Sequence, residues 1–157
     1  MRRKDREIQD LEQLESILKE CSVVRIAAQD QEGLFIVPVN FGYRLEGEKL
    51  TLLIHSAPEG RKVSAFRKGG TVAFEMDCGH ALRTADTACG HSYAYRSIMG
   101  TGTVTEIQNL GEKQQALESI MAHLTGQSWQ VPPQGAERTA VFALEASQWM
   151  GKANRPD

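Results

Sequence analysis

The apolar positions of the chain change their period from helical to alternating near residue 20. The first segment carries apolar residues at helical spacing: Ile8, Leu11, Leu14, Ile17 and Leu18. This spacing predicts an amphipathic helix over residues 1–20. Three strand-like runs follow, "SVVRIAAQ", "LFIVPVNFGY" and "LTLLIH", and the turns "DQEG" and "RLEGEK" separate them. Strands joined by such short turns predict an antiparallel meander.

The second half of the chain combines helical and strand patterns again. A short helix is predicted over about 60–68, and it is followed by the strand "TVAFEMD". An irregular stretch, "CGHALRTADTACGH", precedes a long strand region, "YAYRSIMGTGTVTEIQ". Asn109 is the predicted cap of a helix that ends at Gly126. The loop "SWQVPPQG" then leads to a last strand, "TAVFALEASQWMG", and a polar tail over 153–157.

The helix predicted over 109–126 buries an apolar face in this interpretation. That face consists of Leu117, Ile120, Met121 and Leu124. Pro38 lies inside the second strand, and because proline cannot donate to a strand ladder we expect an edge position or a bulge there. The whole pattern predicts one mainly β domain over 1–157, with six or seven antiparallel strands and flanking helices that close into a small barrel.

Composition and charge exclude several classes of protein. The 157 residues are 41% hydrophobic, which suits one domain with one main core. The net charge of −2 gives no overall positive field for nucleic acid or for an anionic membrane, so neither is an expected partner. The start of the chain turns acidic and no apolar run could span a bilayer, so we expect a cytoplasmic protein. Three scattered cysteines do not suggest a disulfide framework.

The segment "HSAPEGRK" has the features of a phosphate site. A buried strand ends at His55 and Ser56, and a turn then places Arg61 and Lys62 at the start of a helix. Helix N–H groups and two adjacent cations converge there, and a guanidinium can chelate two phosphate oxygens while an ammonium adds a point charge. An isolated Arg-Lys pair is more often a solvated helix face, but the buried strand and the small residues before it favour the phosphate interpretation.

Four segments, "VPVNFGY", "HSAPEGRK", "FEMD" and "YRSIMGTGTV", follow one another on successive predicted strands. In this order they resemble the FMN-binding split-barrel superfamily that includes pyridoxamine 5'-phosphate oxidase, and they are most similar to its nitroimidazole-resistance branch. The resemblance implies a split-barrel homodimer with one FMN at each of two equivalent sites between the subunits. It also implies an oxidoreductase that reduces nitro-aromatic compounds. The ending "WMGKANRPD" lacks the basic segment of authentic pyridoxamine phosphate oxidases, which argues against vitamin B6 oxidation.

The resemblance also implies roles for single residues. Arg61 and Lys62 match the pair that grips the flavin phosphate, and Ser56 is placed for a phosphate or ribityl oxygen. His55 matches a histidine beside the flavin ring, where an imidazole could act as a general acid or stabilise charge. A structural histidine that donates to a backbone carbonyl is the alternative.

The remaining predicted contacts lie on other strands. Val39, Asn40 and Phe41 match the segment that runs along the isoalloxazine ring, although core packing of this strand is the simpler explanation. The partner subunit is the expected source of three further residues of the site: Arg96, Ser97 and Trp149. A tryptophan on a last strand is otherwise more often packed in an interface.

Two alternatives to a flavin enzyme remain open at this stage. The tripeptides Cys78-Gly-His80 and Cys89-Gly-His91 supply two thiols and two imidazoles, which would suit tetrahedral zinc. Their spacing is not that of a C-x-x-C knuckle, so no metal ligands are assigned. The other alternative is a flavin-binding or flavin-sensing protein without turnover.

Overall fold

The computed structural model describes residues 3–154, which form one antiparallel sheet with helices on its outside. The strands are β1 (Glu7–Ile8), β2 (Val23–Asp30), β3 (Gly33–Glu46), β4 (Lys49–Ser56), β5 (Thr71–Arg83), β6 (Ser92–Glu106) and β7 (Ala140–Asn154). The helices are α1 (Leu11–Glu20), α2 (Arg61–Lys68), α3 (Leu110–Thr125) and α4 (Pro133–Glu137). The predicted class, a mainly β protein of seven antiparallel strands with flanking helices, is confirmed.

The sheet closes into a barrel that is split along β3. The strand order is β1-β7-β4-β3-β2-β5-β6, and β6 also pairs with β7 to close the ring. β3 changes partner at its middle, because Gly33–Asn40 pairs with β2 and Phe41–Glu46 pairs with β4. Pro38 lies in the half that pairs only with β2, so its missing N–H can face the unpaired side. The predicted edge position of Pro38 is therefore confirmed.

The core fills the inside of the barrel with residues that alternate along each strand. On β4, Leu50, Leu52 and Ile54 point inward, as side chains two residues apart share one face of a strand. Leu53 points to the other face, where it packs with Ala116 and Ile120 of α3. Both faces of β4 are thus buried, which explains why "LTLLIH" is apolar without alternation.

Several predicted boundaries were wrong because residues distant in sequence determine them. The N-terminal helix begins at Leu11, since Asp10 caps it by accepting from the Glu12 N–H at 3.2 Å. Ile8 instead pairs with Gly151 of β7. Residues 1 and 2 of the predicted helix lie outside the described residues. None of the helices within residues 3–154 is long and apolar enough to span a membrane.

The stretch "CGHALRTADTACGH" and the predicted polar tail over 153–157 contain more regular structure than predicted. β5 continues to Arg83 through a bulge after Cys78, and it pairs there with the start of β6. The loop before β7 contains α4, and β7 extends to Asn154, so only 155–157 of the predicted tail lie outside the described residues. Asn109 caps α3 and Gly126 ends it in a left-handed conformation, as predicted. The buried face of α3 differs from the predicted one, however, because it consists of Ala116 and Ile120, and Leu124 is exposed.

We expect Gly42→Ala to destabilise the fold, because α3 lies directly on the backbone of β3 at this glycine. A Cβ at Gly42 would lie 2.7 Å from the Ile120 nitrogen and 2.8 Å from the Ser119 carbonyl carbon. Overpacking against backbone should lower the free energy of unfolding by about 1 to 3 kcal/mol, measured by urea denaturation. Gly135→Ala is the control, since its nearest neighbour would be 3.9 Å away. Equal stabilities of the two variants would contradict the close packing.

Candidate functional site

The split in the barrel opens beside His55. Ile54 is the last residue of β4 that pairs with β3, through Phe41. His55 keeps only its partner on β7, Val141. Asn40, the first residue of β3 beyond the split, donates from its amide nitrogen to the Ser22 carbonyl at 2.8 Å. The side chains of His55 and Asn40 are both exposed, so they form the edge of an opening between two strands.

The helix that follows this opening has no side-chain cap. Gly60 is the N-cap of α2 with a φ of 127°, a conformation that favours glycine. The first N–H groups of a helix have no partner within the helix. Asp10 and Asn109 satisfy one such group in α1 and in α3, but none of the side chains that the structure describes does so in α2. The N-terminus of α2 can therefore accept an anion.

Lys62 adds a positive charge at the same place. Its side chain is partly buried, and among the described residues no carboxylate lies within ion-pair distance of it. Burial lowers the pKa of Lys62, because desolvation disfavours the ammonium form. The pKa of His55 is also lowered, first by burial and second by the charge of Lys62. The structure thus brings an imidazole and an ammonium, both with lowered pKa values, to the same opening.

Arg61 is engaged elsewhere. Its guanidinium donates to both carboxylate oxygens of Asp30, at 2.7 and 2.8 Å, and lies 4.5 Å above the centre of the Phe35 ring. This hydrogen bonding is the first cause that lowers the pKa of Asp30, to about 2. Arg61 thereby ties α2 to the β2–β3 hairpin. Asp30 and Phe35 could not be predicted as partners of Arg61, since nothing local to either residue indicates a contact with residue 61.

The other residues predicted near the flavin ring face different directions. Phe41 is fully buried in the core and packs its ring 4.8 Å from that of His123. Val39 packs against the same core, so these two residues can offer only backbone groups to a ligand outside the barrel. Ser56 is partly buried and pairs with Ala140 at the end of β4.

The three residues predicted to come from a partner lie far from His55 in their own chain. Val141 pairs with His55, Gly100 pairs with Trp149, and Ser97 pairs with Lys152. At about 3.3 Å per residue, Trp149 and Lys152 lie roughly 25 and 35 Å along β7 from Val141. A single chain therefore does not bring these residues to the opening.

Each of the three has partners within its own chain. Arg96 donates to the Ser16 hydroxyl at 3.1 Å and forms an ion pair with Glu20. Trp149 donates to the Glu48 carbonyl at 2.8 Å, and Ser97 is buried. Their contribution to a flavin site in a second subunit stays a prediction.

The two Cys-Gly-His tripeptides do not form a metal centre. His80 pairs with Asp77 at 2.7 Å, and the Nδ1 atom of His91 lies 2.9 Å from the Thr87 carbonyl oxygen. Cys78 points into the core whereas Cys89 is exposed. Within residues 3–154 no group of three or more histidine, cysteine, aspartate or glutamate side chains is arranged to hold a metal ion.

The chain belongs to the pyridoxamine 5'-phosphate oxidase family, whose sequence model matches residues 10–153. No curated protein sequence matches it. It is similar to a solved structure from Bacteroides thetaiotaomicron VPI-5482, a protein assigned to 5-nitroimidazole antibiotic resistance. The two are 30% identical with a TM-score of 0.79, and the match covers 95% of this chain and 90% of the other.

More distant structures share the fold. The FAD and heme binding protein from Mycobacterium smegmatis has a TM-score of 0.80 at 21% identity, with 97% of this chain and 76% of that chain covered. The flavocytochrome Anf3 from Azotobacter vinelandii has a TM-score of 0.79 at 20% identity, with 99% and 72% covered. The predicted split-barrel fold and its family are therefore confirmed.

Proposed function

We propose that the protein binds FMN at the opening beside His55 and is an oxidoreductase that reduces nitro-aromatic compounds. Two features of α2 carry this proposal: within residues 3–154, no side chain caps its N-terminus and no carboxylate pairs with the neighbouring ammonium of Lys62. A phosphate would accept from the free N–H groups and offset the desolvated charge. The similarity to a protein assigned to 5-nitroimidazole resistance supports the class of electron acceptor.

The residues at the opening fit FMN in charge and in position. Lys62 and the first N–H groups of α2 would hold the phosphate, and Arg61 could add only the N–H donors that Asp30 does not occupy. Asn40 and the backbone of β3 would face the polar edge of the ring. FMN supplies the two-electron redox chemistry when it is bound.

His55 would hold or donate a proton beside the ring. Part of its lowered pKa comes from the charge of Lys62, so a phosphate paired with Lys62 would raise the pKa of the imidazole towards its usual value. The bound state thus favours a protonated His55 more than the empty state does. A group with a pKa near neutrality is well suited to general acid catalysis.

The absorption spectrum and metal content of the purified protein test the cofactor directly. We expect a flavin band after purification or after incubation with FMN, one FMN per chain, and no stoichiometric zinc. Titrations with FMN, FAD and riboflavin then separate the flavin forms, and FMN should bind most tightly. A protein that holds one zinc per chain and no flavin after incubation with FMN would overturn the proposal.

We also propose a cytoplasmic homodimer. The half of β3 that lacks a second strand partner exposes Leu34 by 79% and Ile36 by 67%, beside unpaired backbone groups. Exposed apolar side chains on an open strand edge favour association. The three free cysteines fit a reducing compartment.

Light scattering should give a molecular mass of twice 17.4 kDa, the mass of a dimer. The variant Ile36→Glu should shift the protein towards the monomer. A buried charge at an apolar interface is costly, which is why a large shift is expected. Leu124→Glu on α3 is the control, because Leu124 is an exposed leucine on a helix that packs against the other half of β3, at Phe41 and Gly42. A 17 kDa monomer that still carries one FMN per chain would contradict a site shared between subunits.

A further inference from the structure

The fold brings together two cysteines that are distant in sequence. Cys21 follows α1, where its N–H donates to the Ile17 carbonyl at 3.0 Å. Cys78 lies on β5 immediately before the bulge. Their exposed fractions are only 4% and 9%, and both belong to the same core cluster. Each thiol lies near enough to the other to affect its pKa.

The contacts around the two thiols hold the end of α1 against β5. Arg96 is the register partner of Cys78, and its guanidinium binds Ser16 and Glu20 of α1. A Cβ at Gly79 would lie 3.4 Å from the Arg96 Nε and 3.9 Å from a Glu20 carboxylate oxygen. The residues that follow Cys78 and precede Cys21 are therefore neighbours too. These contacts hold the end of α1, with Cys21, against the part of β5 that carries Cys78.

We propose that Cys21 and Cys78 form a dithiol site that low-molecular-weight disulfides oxidise to an intramolecular disulfide. The Cys78 thiolate attacks one sulfur of the oxidant, forms a mixed disulfide and releases one thiol. Cys21 then attacks the Cys78 sulfur and displaces the second thiol. Two protein thiols lose two electrons and two protons, and one small disulfide becomes two thiols. The site is separate from the flavin proposal, which uses neither cysteine.

Cys78 is the entry thiol because it is the more accessible of the two. Burial is the first cause that raises the pKa of both thiols, while the Arg96 charge acts in the opposite direction on Cys78 alone. The thiolate is the reactive form, so the reaction is slow at neutral pH. Its rate should rise about tenfold per pH unit while the pH stays below the pKa of the attacking thiol.

The test uses the full chain with Cys89→Ser, which removes the exposed third thiol. The folded protein is incubated with oxidised glutathione at about pH 8.5 and then analysed by intact mass and peptide mapping. We expect each chain to lose the mass of two hydrogen atoms and to yield one peptide pair that joins Cys21 to Cys78. Circular dichroism before and after oxidation establishes that the fold is retained.

Two variants in the same background identify the role of each thiol. Cys21→Ala should stop at a mixed disulfide of Cys78 with one glutathione, whereas Cys78→Ala should remain unmodified. Chains that take up two glutathiones would overturn the proposal. Chains that keep both thiols free when the incubation at about pH 8.5 is extended well beyond the time needed to modify Cys89 fully in the wild type would overturn it too. Modification of Cys21 in Cys78→Ala at the wild-type rate would overturn the order of the two steps.

Discussion

Replacing Lys62 with alanine is expected to weaken FMN binding by about 10- to 150-fold while riboflavin binding changes little. Only FMN carries the phosphate that Lys62 would meet, and a hydrogen bond to a charged group contributes about 1.5 to 3 kcal/mol. Lys62 has no competing carboxylate among the described residues, so its full interaction is open to a ligand. Fluorescence titration of both flavins gives the two affinities. Lys68→Ala is the control, because Lys68 is an exposed cation at the other end of α2.

Arg61 should contribute less than Lys62, because Asp30 already accepts from two of the nitrogen atoms of its guanidinium. The combined variant Arg61→Ala/Lys62→Ala should lose at most about 10⁴-fold in FMN affinity. The variant Asp30→Asn tests the role of Arg61 separately. It weakens the ion pair between Arg61 and residue 30, so it should strengthen FMN binding if Arg61 is a phosphate ligand. Equal losses for FMN and riboflavin in the Lys62 variant would reject this phosphate site.

The parts of the fold that follow from local chemistry were predictable from the sequence. Asn109 caps α3 by accepting from the Glu112 N–H at 3.1 Å, and both residues belong to the same turn. The β2–β3–β4 meander follows from short turns between apolar runs. Pro38 indicated an edge because proline lacks the donor that a second strand partner needs.

The parts that depend on long-range register were not predictable. Ile8 fits a helical period equally well, but its burial against β7 makes it part of a strand. The ion pair of Arg61 with Asp30 could not be predicted, since residue 30 is adjacent to Arg61 only after the β2–β3 hairpin has docked on α2. The same reason hid the proximity of Cys21 and Cys78, which depends on α1 packing against β5.

The residues at the site also differ in how far the sequence could assign them. His55 lies near the end of β4 and Lys62 lies in the first turn of the next helix, α2, so local order alone placed them together. Trp149 and Arg96 depend on β7 and β6, which place them at the other end of the barrel from His55. A flavin that contacts all four of these residues requires two chains. A flavin that is bound within one chain contacts only His55 and Lys62.

Replacing His55 with alanine is expected to leave FMN bound and to slow reoxidation of the reduced flavoprotein by a nitroimidazole about 10²- to 10⁴-fold. The imidazole lies at the opening but the phosphate contacts lie on α2, so binding and chemistry should separate. Stopped-flow absorption at the flavin band measures the rate. His55→Gln is the matched control, since an amide can donate a hydrogen bond but cannot transfer a proton.

The pH dependence of this rate distinguishes proton donation from other roles of His55. Acid catalysis requires the protonated imidazole, so the wild-type rate should fall as the pH rises through the pKa of His55 in the FMN complex. That pKa should exceed the value in the flavin-free protein, where burial and the Lys62 charge lower it. His55→Gln should lose this pH dependence while keeping part of the rate. If wild type reoxidises no faster than free reduced FMN, the protein binds flavin without turnover; if His55→Ala matches an active wild type, His55 is a structural residue.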